Sequence, residues 1–468
     1  MTNTLHDQLR ALLGADAVLT AAADTAAFEI DHRKLYRGRA LAVVQPGTVE
    51  QVSAVVRWCN EHRIGLVPQG GNTGYCGGAT PDESGHQLVL SLRRLNRIRE
   101  LDAENYSMTV EAGCVLAQIQ QAAESADRFF PLSLGSEGSC QIGGNLSTNA
   151  GGLNVVRYGM TRDLVLGIEA VLADGGVLSG LKSLRKDNTG YDLRALLIGA
   201  EGTLGVITAA TLKLWPRMRN SATALLGIES PADALALLGA LRTAASEFLS
   251  SFELMPRIAI ELAARYVEGV RDPFDASYPW YLLCELTASG SEDLEALLQQ
   301  TLASAMERSW VRDATLASSE RVRAEFWFLR EHIPEAQRRA GSSLKHDISV
   351  PVASLPEFIN EASAWVRQHV PEGVLVCYGH AGDGNLHFNI SQVGNGGSAA
   401  FMAREPDIRR AIHDLVARYH GSFSAEHGIG RLKRQELERY APAAALAAMR
   451  AIKQALDPKG ILNPGKLL

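Results

Sequence analysis

A glycine-rich tract in the first third of the chain constrains its folding more than any other feature. Residues 134–152 contain six glycines among 19 positions and too few bulky apolar side chains to form part of a core. The many backbone and side-chain donors suit an extended ligand that lies against the backbone. A flexible linker is the alternative, but linkers seldom carry apolar residues such as Ile142, Leu146 and Leu153 among their glycines. We therefore favour ligand binding.

A second glycine-rich segment follows a predicted buried strand. The strand at Gly65–Pro68 leads into Gln69–Gly74, and Gly77 and Gly78 come shortly after. Glycine lets backbone N–H groups approach a phosphate closely, although a tight surface turn has the same composition. The chain has no G-x-G-x-x-G after a strand and no G-x-x-x-x-G-K-[ST]. A Rossmann or Walker nucleotide site is therefore not indicated.

The bulk properties exclude several classes of protein. At 468 residues the chain is long enough for two or three domains, and its net charge of -6 argues against nucleic acid as the main partner. No apolar run is long enough to span a bilayer, and no secretory signal pattern is visible. Six separated cysteines without a C-x-x-C pair are typical of a reducing compartment. We predict a cytoplasmic location, or the mitochondrial matrix for a eukaryotic source.

Helices and strands alternate in the second half. Periodicity predicts helices at 231–246, 292–306, 318–333, 355–369 and 405–419, the last stopped by Gly421, and strands at 222–228, 280–287, 344–350, 373–378 and 386–391. This pattern indicates an α+β domain with an antiparallel sheet. In the first half, Thr48 and Gln51 predict the capped start of a helix, and Asp174-Gly175 predicts the turn of a hairpin.

Two compact clusters carry residues that ligate metals. His380 and His387 lie in a glycine-bracketed turn, and Glu426 and His427 form the second cluster. Two histidines and one carboxylate form the ligand set of an open zinc or other divalent-metal site. We predict His380, His387 and Glu426 as ligands. Ordinary polar loop residues are the alternative, and they do not explain the clustering. Asp383, between two glycines, fits a turn cap better than a further ligand.

Together these stretches resemble the flavin-dependent 2-hydroxyacid dehydrogenases of the vanillyl-alcohol-oxidase type. The resemblance runs from about Arg37 to Lys466, and several long motifs occur in the same order, which makes it specific. It is carried by the two metal motifs and by Pro68–Gly74, Gly138–Asn145, Asn149–Leu153, Arg185–Leu193 and Gly202–Gly205.

The resemblance implies an α+β fold in three parts. Residues 1–217 would form a two-subdomain FAD-binding domain of the vanillyl-alcohol-oxidase (PCMH) type. Residues 218–420 would form an α+β substrate domain with an antiparallel sheet. Residues 421–468 would form a C-terminal helical segment that completes the metal and flavin site.

The resemblance also implies bound FAD, which we expect to be dissociable because no residue for a covalent link is evident. The implied FAD-binding residues are Pro68, Gly70, Gly71, Asn72, Thr73, Gly74, Gly135, Gly138, Ser139, Ile142, Gly143, Asn145, Asn149, Gly151, Gly152, Gly202, Gly205, Val206, Ile207 and Asn463.

The implied reaction is oxidation of a D-2-hydroxy acid to the 2-oxo acid, with hydride transfer to the flavin. D-2-hydroxyglutarate or a malate-like dicarboxylate is the expected substrate. A divalent cation, zinc before manganese or iron, would act as the Lewis acid that an alcohol needs to lose its proton. His427 is the predicted base, because imidazole titrates near neutral pH. Neighbouring side chains diverge along an extended segment, so His427 would not share the ion of Glu426.

By resemblance, Arg330, Lys345, Asn389 and His427 bind the substrate. Without the resemblance, Arg330 and Lys345 would be interpreted as a solvated surface pair. The sequence departs from the family motif at Pro334, where the family has a threonine. Loss of that hydroxyl leaves the length of the substrate open, whereas Lys345 favours a dicarboxylic acid over lactate.

Three other functions remain open from the sequence. They are a D-lactate or glycolate-type flavin dehydrogenase, a metal-free flavin sugar oxidase, and a metal-dependent hydrolase that would leave both glycine-rich segments unexplained. The expected partners are the small-molecule 2-hydroxy acid and an electron acceptor such as an electron-transfer flavoprotein or a quinone. We expect no nucleic acid and no membrane span, and a homodimer is one of the open oligomeric states.

Overall fold

A computed structural model describes residues 2–245, 247–394 and 399–468. The chain forms two compact units. Unit 1 comprises Met1–Gly152, Gly159–Arg217 and Glu426–Leu468, and unit 2 comprises Leu153–Tyr158 and Met218–Ala425. The units are defined by compactness alone, and the domain limits at residues 217 and 420 stay a prediction.

The strands are numbered in chain order. They are β1 (Val18–Leu19), β2 (Ala40–Val44), β3 (Gly65–Gln69), β4 (Gln87–Ser91), β5 (Ile98–Asp102), β6 (Ser107–Glu111), β7 (Arg128–Phe129), β8 (Val165–Val171), β9 (Val177–Gly180), β10 (Val206–Lys213), β11 (Trp215–Pro216), β12 (Asn220–Ile228), β13 (Leu249–Pro256), β14 (Trp280–Ala288), β15 (Asp313–Leu316), β16 (Gly341–Leu344), β17 (Asp347–Ser349), β18 (Val374–His380) and β19 (Asn385–Val393).

The helices are numbered in the same way. They are α1 (Thr2–Leu13), α2 (Ala22–Thr25), α3 (Val49–His62), α4 (Leu116–Ser125), α5 (Ile142–Thr148), α6 (Val155–Tyr158), α7 (Leu193–Leu197), α8 (Pro231–Ala245), α9 (Arg257–Tyr266), α10 (Leu294–Glu307), α11 (Glu320–Glu331), α12 (Ile333–Ala340), α13 (Leu355–His369), α14 (Ala399–Ala403), α15 (Glu405–Arg418), α16 (Arg434–Tyr440) and α17 (Ala443–Leu456).

Unit 1 contains two main sheets. The first has the order β1-β2-β4-β3, with β2 and β3 both parallel to β4. The second is antiparallel with the order β5-β6-β10-β8-β9. The predicted capped helix is α3, where Thr48 Oγ1 accepts a hydrogen bond from the backbone N–H of Gln51 at 3.3 Å. The predicted hairpin is β8–β9, with Val171 opposite Val177.

The end of the chain completes the core of unit 1. Ile461 and Leu462 are buried in the same apolar cluster as the inner face of α3 and strands β2 and β4. The carbonyl of Ile461 accepts a hydrogen bond from the N–H of Leu66 at 2.7 Å. The last segment therefore joins the edge of the first sheet beside β3, the strand that leads into the first glycine-rich loop.

Unit 2 is built on one antiparallel sheet. Its order is β15-β12-β14-β13-β18-β19-β16, with β17 also paired with β19. Alternate residues of β12 enter two apolar clusters, Leu226 on one side and Leu225 on the other. Helices α8, α10, α13 and α15 pack into the first cluster, and α9, α11 and α12 pack into the second. The predicted α+β class with an antiparallel sheet is confirmed.

Several predicted elements need correction. The helix predicted at 318–333 is α11, which ends at Glu331, and an unpredicted second helix, α12, follows with Pro334 in its first turn. The strand predicted at 344–350 is β17, preceded by β16, so Lys345 lies between two strands. The helix predicted at 405–419 is α15, which ends at Arg418 and is followed by a left-handed residue, His420 (φ 56°), before Gly421. The helix predicted at 231–246 is α8, and residue 246 lies outside the described residues.

Several elements were not predicted, and two of them carry residues of the site. The second glycine-rich tract contains the helix α5, whose Ile142, Gly143, Asn145 and Leu146 are buried. The expectation that the tract contributes nothing to a core was therefore wrong, because glycine allows this helix to pack closely. Strand β13 is the second of these, and it lies near the centre of the sheet of unit 2.

Candidate functional site

An open cavity lies in unit 1 between the two glycine-rich segments. Most of the predicted FAD-binding residues line it. Those that do are Pro68, Gly70, Gly71, Asn72, Thr73, Gly74, Gly143, Asn145, Gly202, Gly205, Val206, Ile207 and Asn463. The remaining predicted residues, Gly135, Gly138, Ser139, Ile142, Asn149, Gly151 and Gly152, are not part of this lining.

Glycines serve two different purposes in the lining. A Cβ on Gly71 would lie 2.3 Å from the carbonyl oxygen of Ser139, so the two segments approach closely only because this residue is glycine. A Cβ on Gly144 would have no described protein atom within 4 Å and would enter the cavity instead. Glycine at 144 therefore preserves open space.

The lining also contains polar groups that a ligand would satisfy. Gln141 Oε1, Asn145 Oδ1 and Asn463 Oδ1 are buried acceptors without a hydrogen-bond partner among the described residues. Buried acceptors are normally paired, and hydroxyl and amino groups of FAD could donate to all three. The glycine cradle and these acceptors fit FAD. Sequence reasoning missed Gln141 and Gly144, although both lie within the glycine-rich tract.

The segment after residue 425 places the predicted base in the same lining. His427 lines the cavity and meets the ring of Tyr75 edge-on, with ring centroids 4.7 Å apart. Glu201 fixes the following residues, since its carboxylate accepts the N–H groups of Ile429 at 2.6 Å and Gly430 at 2.7 Å. Burial raises the pKa of Glu201, against the effect of these two hydrogen bonds. Sequence reasoning missed Glu201, which adjoins the predicted Gly202.

The first two predicted metal ligands lie on a hairpin of unit 2. His380 ends β18 and His387 is in β19, with ring centroids 5.5 Å apart and ring planes at 78°. The tight connection depends on Gly384 (φ 87°), where a Cβ would lie 2.2 Å from the carbonyl oxygen of Val350. Asp383 accepts the N–H of Asn385 at 3.2 Å, as expected for a turn cap. Burial raises the pKa of Asp383 to about 6, against the charge of His380.

The third predicted metal ligand, Glu426, belongs to unit 1. Glu426 is the first residue of the C-terminal part of that unit, and a Cβ on Gly151 would lie 2.8 Å from its Oε1. Glu426 follows Ala425 directly along the chain. The N–H of Ala425 donates to the carbonyl of Asp347 at 3.3 Å, and Asp347 is the cross-strand neighbour of His387.

A buried carboxylate connects the histidine pair to Arg330. Glu253 lies in β13 and is fully buried. Its Oε1 is 2.6 Å from His380 Nδ1, and its Oε2 accepts from Arg330 Nε at 2.8 Å. Burial raises the pKa of Glu253, but the charges and hydrogen bonds of His380 and Arg330 outweigh it and lower the pKa to about 2. Sequence reasoning missed this residue.

The predicted substrate-binding residues of unit 2 lie on one helix, on one strand and in one exposed connection. Arg330 is near the end of α11, as predicted, and it is buried with its guanidinium 4.8 Å from the ring centroid of Tyr378. A solvated surface position for Arg330 is therefore wrong. Asn389 is buried in β19, two residues after His387, and donates to Gln337 Oε1 at 3.1 Å. Lys345 lies between β16 and β17.

Two protein-family models match the sequence of this chain. Residues 217–467 match the model described as FAD linked oxidases, C-terminal domain, and residues 40–180 match the FAD binding domain model. The chain belongs to the FAD-linked oxidase family. FAD is therefore its cofactor. Separately, no helix of the described residues is long and apolar enough to cross a membrane.

Individual relatives within the FAD-linked oxidases agree with the predicted resemblance. D-2-hydroxyglutarate dehydrogenase of Stutzerimonas stutzeri (strain A1501) is 38% identical over 99% of this chain and 98% of its own. The mitochondrial D-2-hydroxyglutarate dehydrogenase of Bos taurus is 41% identical over 94% of this chain and 79% of its own. The prediction of an FAD-dependent 2-hydroxyacid dehydrogenase is confirmed.

Solved structures support the same fold. p-Cresol methylhydroxylase is 19% identical, with a TM-score of 0.78 over 99% of this chain and 96% of that chain. Alkyldihydroxyacetonephosphate synthase is 17% identical, with a TM-score of 0.74 over 99% of this chain and 84% of that chain. The predicted vanillyl-alcohol-oxidase (PCMH) type fold is confirmed.

Proposed function

We propose that this FAD-linked oxidase oxidises D-2-hydroxyglutarate, or a D-2-hydroxy dicarboxylic acid of similar length, to the 2-oxo acid with the help of a divalent metal. The relatives named above support the choice of substrate. The observation that carries the proposal is the Glu253 bridge, which ties a candidate metal ligand to a buried arginine. A 2-hydroxy acid that chelates a metal and carries negative charge needs a metal ligand and a cationic side chain next to each other.

The proposed metal ligands are His380, His387 and Glu426. The paired rings on one hairpin support the first two. Chain continuity supports the third, because Ala425 is anchored to Asp347 beside His387. When bound, a divalent cation acts as a Lewis acid and makes a coordinated hydroxyl group more acidic. Zinc is the first choice for two histidines and a carboxylate.

His427 is the proposed base that accepts the hydroxyl proton. Its place in the lining of the FAD cavity and its edge-on contact with Tyr75 support this role, as does an imidazole pKa near neutrality. FAD, when bound, supplies the two-electron acceptor for the hydride that leaves C2. Glu201 keeps the backbone after His427 in place, so the imidazole would keep its position while the proton transfers.

Arg330, Lys345 and Asn389 are the proposed contacts for the substrate carboxylates. Arg330 Nη2 is buried and lies 2.6 Å from Glu253 Oε2, but it makes no hydrogen bond of good geometry in the described part of the chain, so a substrate carboxylate could also accept from it. Pro334 cannot donate as the threonine of the family motif could, and it is exposed at the start of α12. The contribution from this position therefore differs from that in the family.

The glycine-lined cavity and the family relationship disfavour a metal-dependent hydrolase. A D-lactate or glycolate-type dehydrogenase stays an alternative for the substrate, and a metal-free reaction stays an alternative for the chemistry. An electron-transfer flavoprotein or a quinone is the proposed electron acceptor. The homodimer and the cytoplasmic or mitochondrial location stay predictions.

A turnover panel tests the substrate. Purified holoenzyme is assayed with a dye acceptor and the D and L forms of 2-hydroxyglutarate, malate and lactate. We expect the highest kcat/KM for D-2-hydroxyglutarate and at least about a hundredfold lower value for D-lactate, since D-lactate lacks the second carboxylate that Arg330 and Lys345 would contact. A preference for D-lactate, or for any L enantiomer, would reject the proposed substrate.

A further inference from the structure

Glu253 divides its two carboxylate oxygens between two groups of the proposed site. Oε1 lies 2.6 Å from His380 Nδ1, and Oε2 accepts from Arg330 Nε at 2.8 Å. Arg330 Nη2 is also 2.6 Å from Oε2, but without hydrogen-bond geometry. Glu253 is fully buried and His380 and Arg330 are nearly so. Water therefore does not screen these contacts.

The first contact determines which nitrogen of His380 can bind a metal. An ionised carboxylate only accepts hydrogen bonds, so His380 must donate from Nδ1. In the neutral imidazole, the lone pair is then on Nε2. A carboxylate that fixes a metal-binding histidine in this way orients the ring and makes the ligand nitrogen more basic.

The second contact determines the orientation of Arg330. Glu253 takes the Nε edge, and the ring of Tyr378 lies against the guanidinium plane. Nη2 has no hydrogen-bond acceptor in the parts of the chain that the structure describes. Nη2 is in the ion pair with Glu253 but makes no hydrogen bond of good geometry there, so its N–H groups can donate to a further acceptor, and a carboxylate is the natural partner for a guanidinium.

We infer that Glu253 is a positioning residue that couples metal binding to substrate binding, by fixing the ligand nitrogen of His380 and the guanidinium of Arg330 at once. The inference rests on the proposed function, since it assumes that His380 ligates a metal and that Arg330 contacts the substrate. Glu253 itself touches neither the metal nor the substrate.

The chain contains a matched control on the same helix and the same sheet. Glu285 on β14 is also buried and accepts from Arg323 Nε at 2.6 Å and Nη2 at 2.9 Å. Arg323 and Arg330 both belong to α11, two turns apart. Trp327 and Thr223 also donate to Glu285, and within the described residues no histidine hydrogen-bonds to its carboxylate. Glu285 therefore tests a buried glutamate–arginine pair that lacks the metal-ligand connection.

The experiment compares Glu253→Gln and Glu253→Asp with Glu285→Gln in the FAD-loaded protein. Zinc affinity is measured by competition with a fluorescent chelator, FAD content by absorbance, and kcat and KM with the preferred 2-hydroxy acid. Glutamine presents an acceptor to only one of the two donors, and aspartate is too short to reach both. We expect both Glu253 variants to bind zinc about 10–100-fold more weakly and to show a raised KM at unchanged FAD content.

Glu285→Gln is the control for the two Glu253 variants. Glu285→Gln should lower the melting temperature but leave zinc affinity within about twofold of wild type. If Glu253→Gln does not fold, Glu253→Asp decides the matter, because it retains the charge. Unchanged zinc affinity in a folded Glu253 variant would overturn the inference and leave the proposed function standing. If the wild-type protein binds no divalent metal, both fail together.

Discussion

At the scale of single residues, the cavity of unit 1 shows that glycine can be required by neighbouring protein or by space for a ligand. Gly71 belongs to the first kind, because the carbonyl of Ser139 leaves no room for a Cβ. Gly144 belongs to the second kind, because only the open cavity adjoins it. Sequence composition alone does not separate the two kinds, since both residues lie in glycine-rich segments.

The Gly144→Ala variant tests this distinction. Gly144 lies within α5, where alanine should stabilise the FAD-free protein by about 0.5–1 kcal/mol. The added methyl group would occupy space that FAD needs, so the Kd for FAD should rise at least about tenfold. Thermal melts of the FAD-free protein and flavin fluorescence titrations measure the two effects.

Gly239→Ala provides the matching control for Gly144→Ala. Gly239 lies in α8, is exposed, and also has no described atom within 4 Å of its added Cβ. This variant should be stabilised to a similar degree and bind FAD as wild type does. Equal FAD affinity in Gly144→Ala and Gly239→Ala would show that the space beside Gly144 is not used by the cofactor.

Residues with locally visible chemistry could be predicted from the sequence, and residues with distant partners could not. His380 and His387 stand in one short motif, so their pairing on a hairpin follows from local spacing. Glu253 was missed because its partners are 77 and 127 positions away. The available signal was a lone carboxylate in the apolar run Leu249–Pro256, since a buried charge needs a partner.

At the scale of elements, helices and hairpins with clear cap or turn signals could be predicted from the sequence, whereas a strand buried on both faces could not. Helix α3 and the β8–β9 hairpin have clear cap and turn signals, and both are present. Strand β13 is buried on both faces, so it lacks the alternation by which a strand is recognised. The helix predicted at 318–333 is present as α11, which ends at Glu331, shortly before Pro334.

The second sheet of unit 1 contains a buried carboxylate that pairs with two arginines at or beside the neighbouring strand β5. Glu111 ends β6 and is fully buried, and it accepts from Arg97 Nη2 at 2.9 Å and Arg99 Nε at 3.2 Å. Arg99 also donates to Glu169 on β8. Burial raises the pKa of Glu111, but hydrogen bonds from the two arginines outweigh it and lower the pKa below its usual value of 4.5.

Glu111→Gln should therefore destabilise the protein in a pH-dependent manner. A lowered folded pKa means that the carboxylate stabilises the fold fully above about pH 4.5 and progressively less as the pH falls below that value. We expect a loss of about 2 kcal/mol at pH 7, shrinking as the pH is lowered towards about 4. Urea unfolding at several pH values measures the difference. A wild-type-to-variant difference that does not change with pH would contradict the ion-pair explanation.

At the scale of the whole molecule, distant parts of the chain build each unit. The last segment returns to unit 1 and contributes Asn463 to the cavity and Ile461 and Leu462 to the core. The family fold could be predicted, because its long motifs occur in the same order in this sequence. The tie between Asn463 and the carbonyls of Gly78 and Glu201 was not, because it joins three distant segments.

The most direct test of the account is anaerobic reduction of the enzyme's flavin before and after metal removal. Holoenzyme is mixed with D-2-hydroxyglutarate, and the loss of flavin absorbance is followed by stopped flow. The account predicts rapid bleaching in the metal-loaded enzyme, bleaching at least about a hundredfold slower after chelator treatment with FAD still bound, and recovery on addition of zinc. Bleaching that is equally fast in enzyme shown to be free of divalent metal would contradict it.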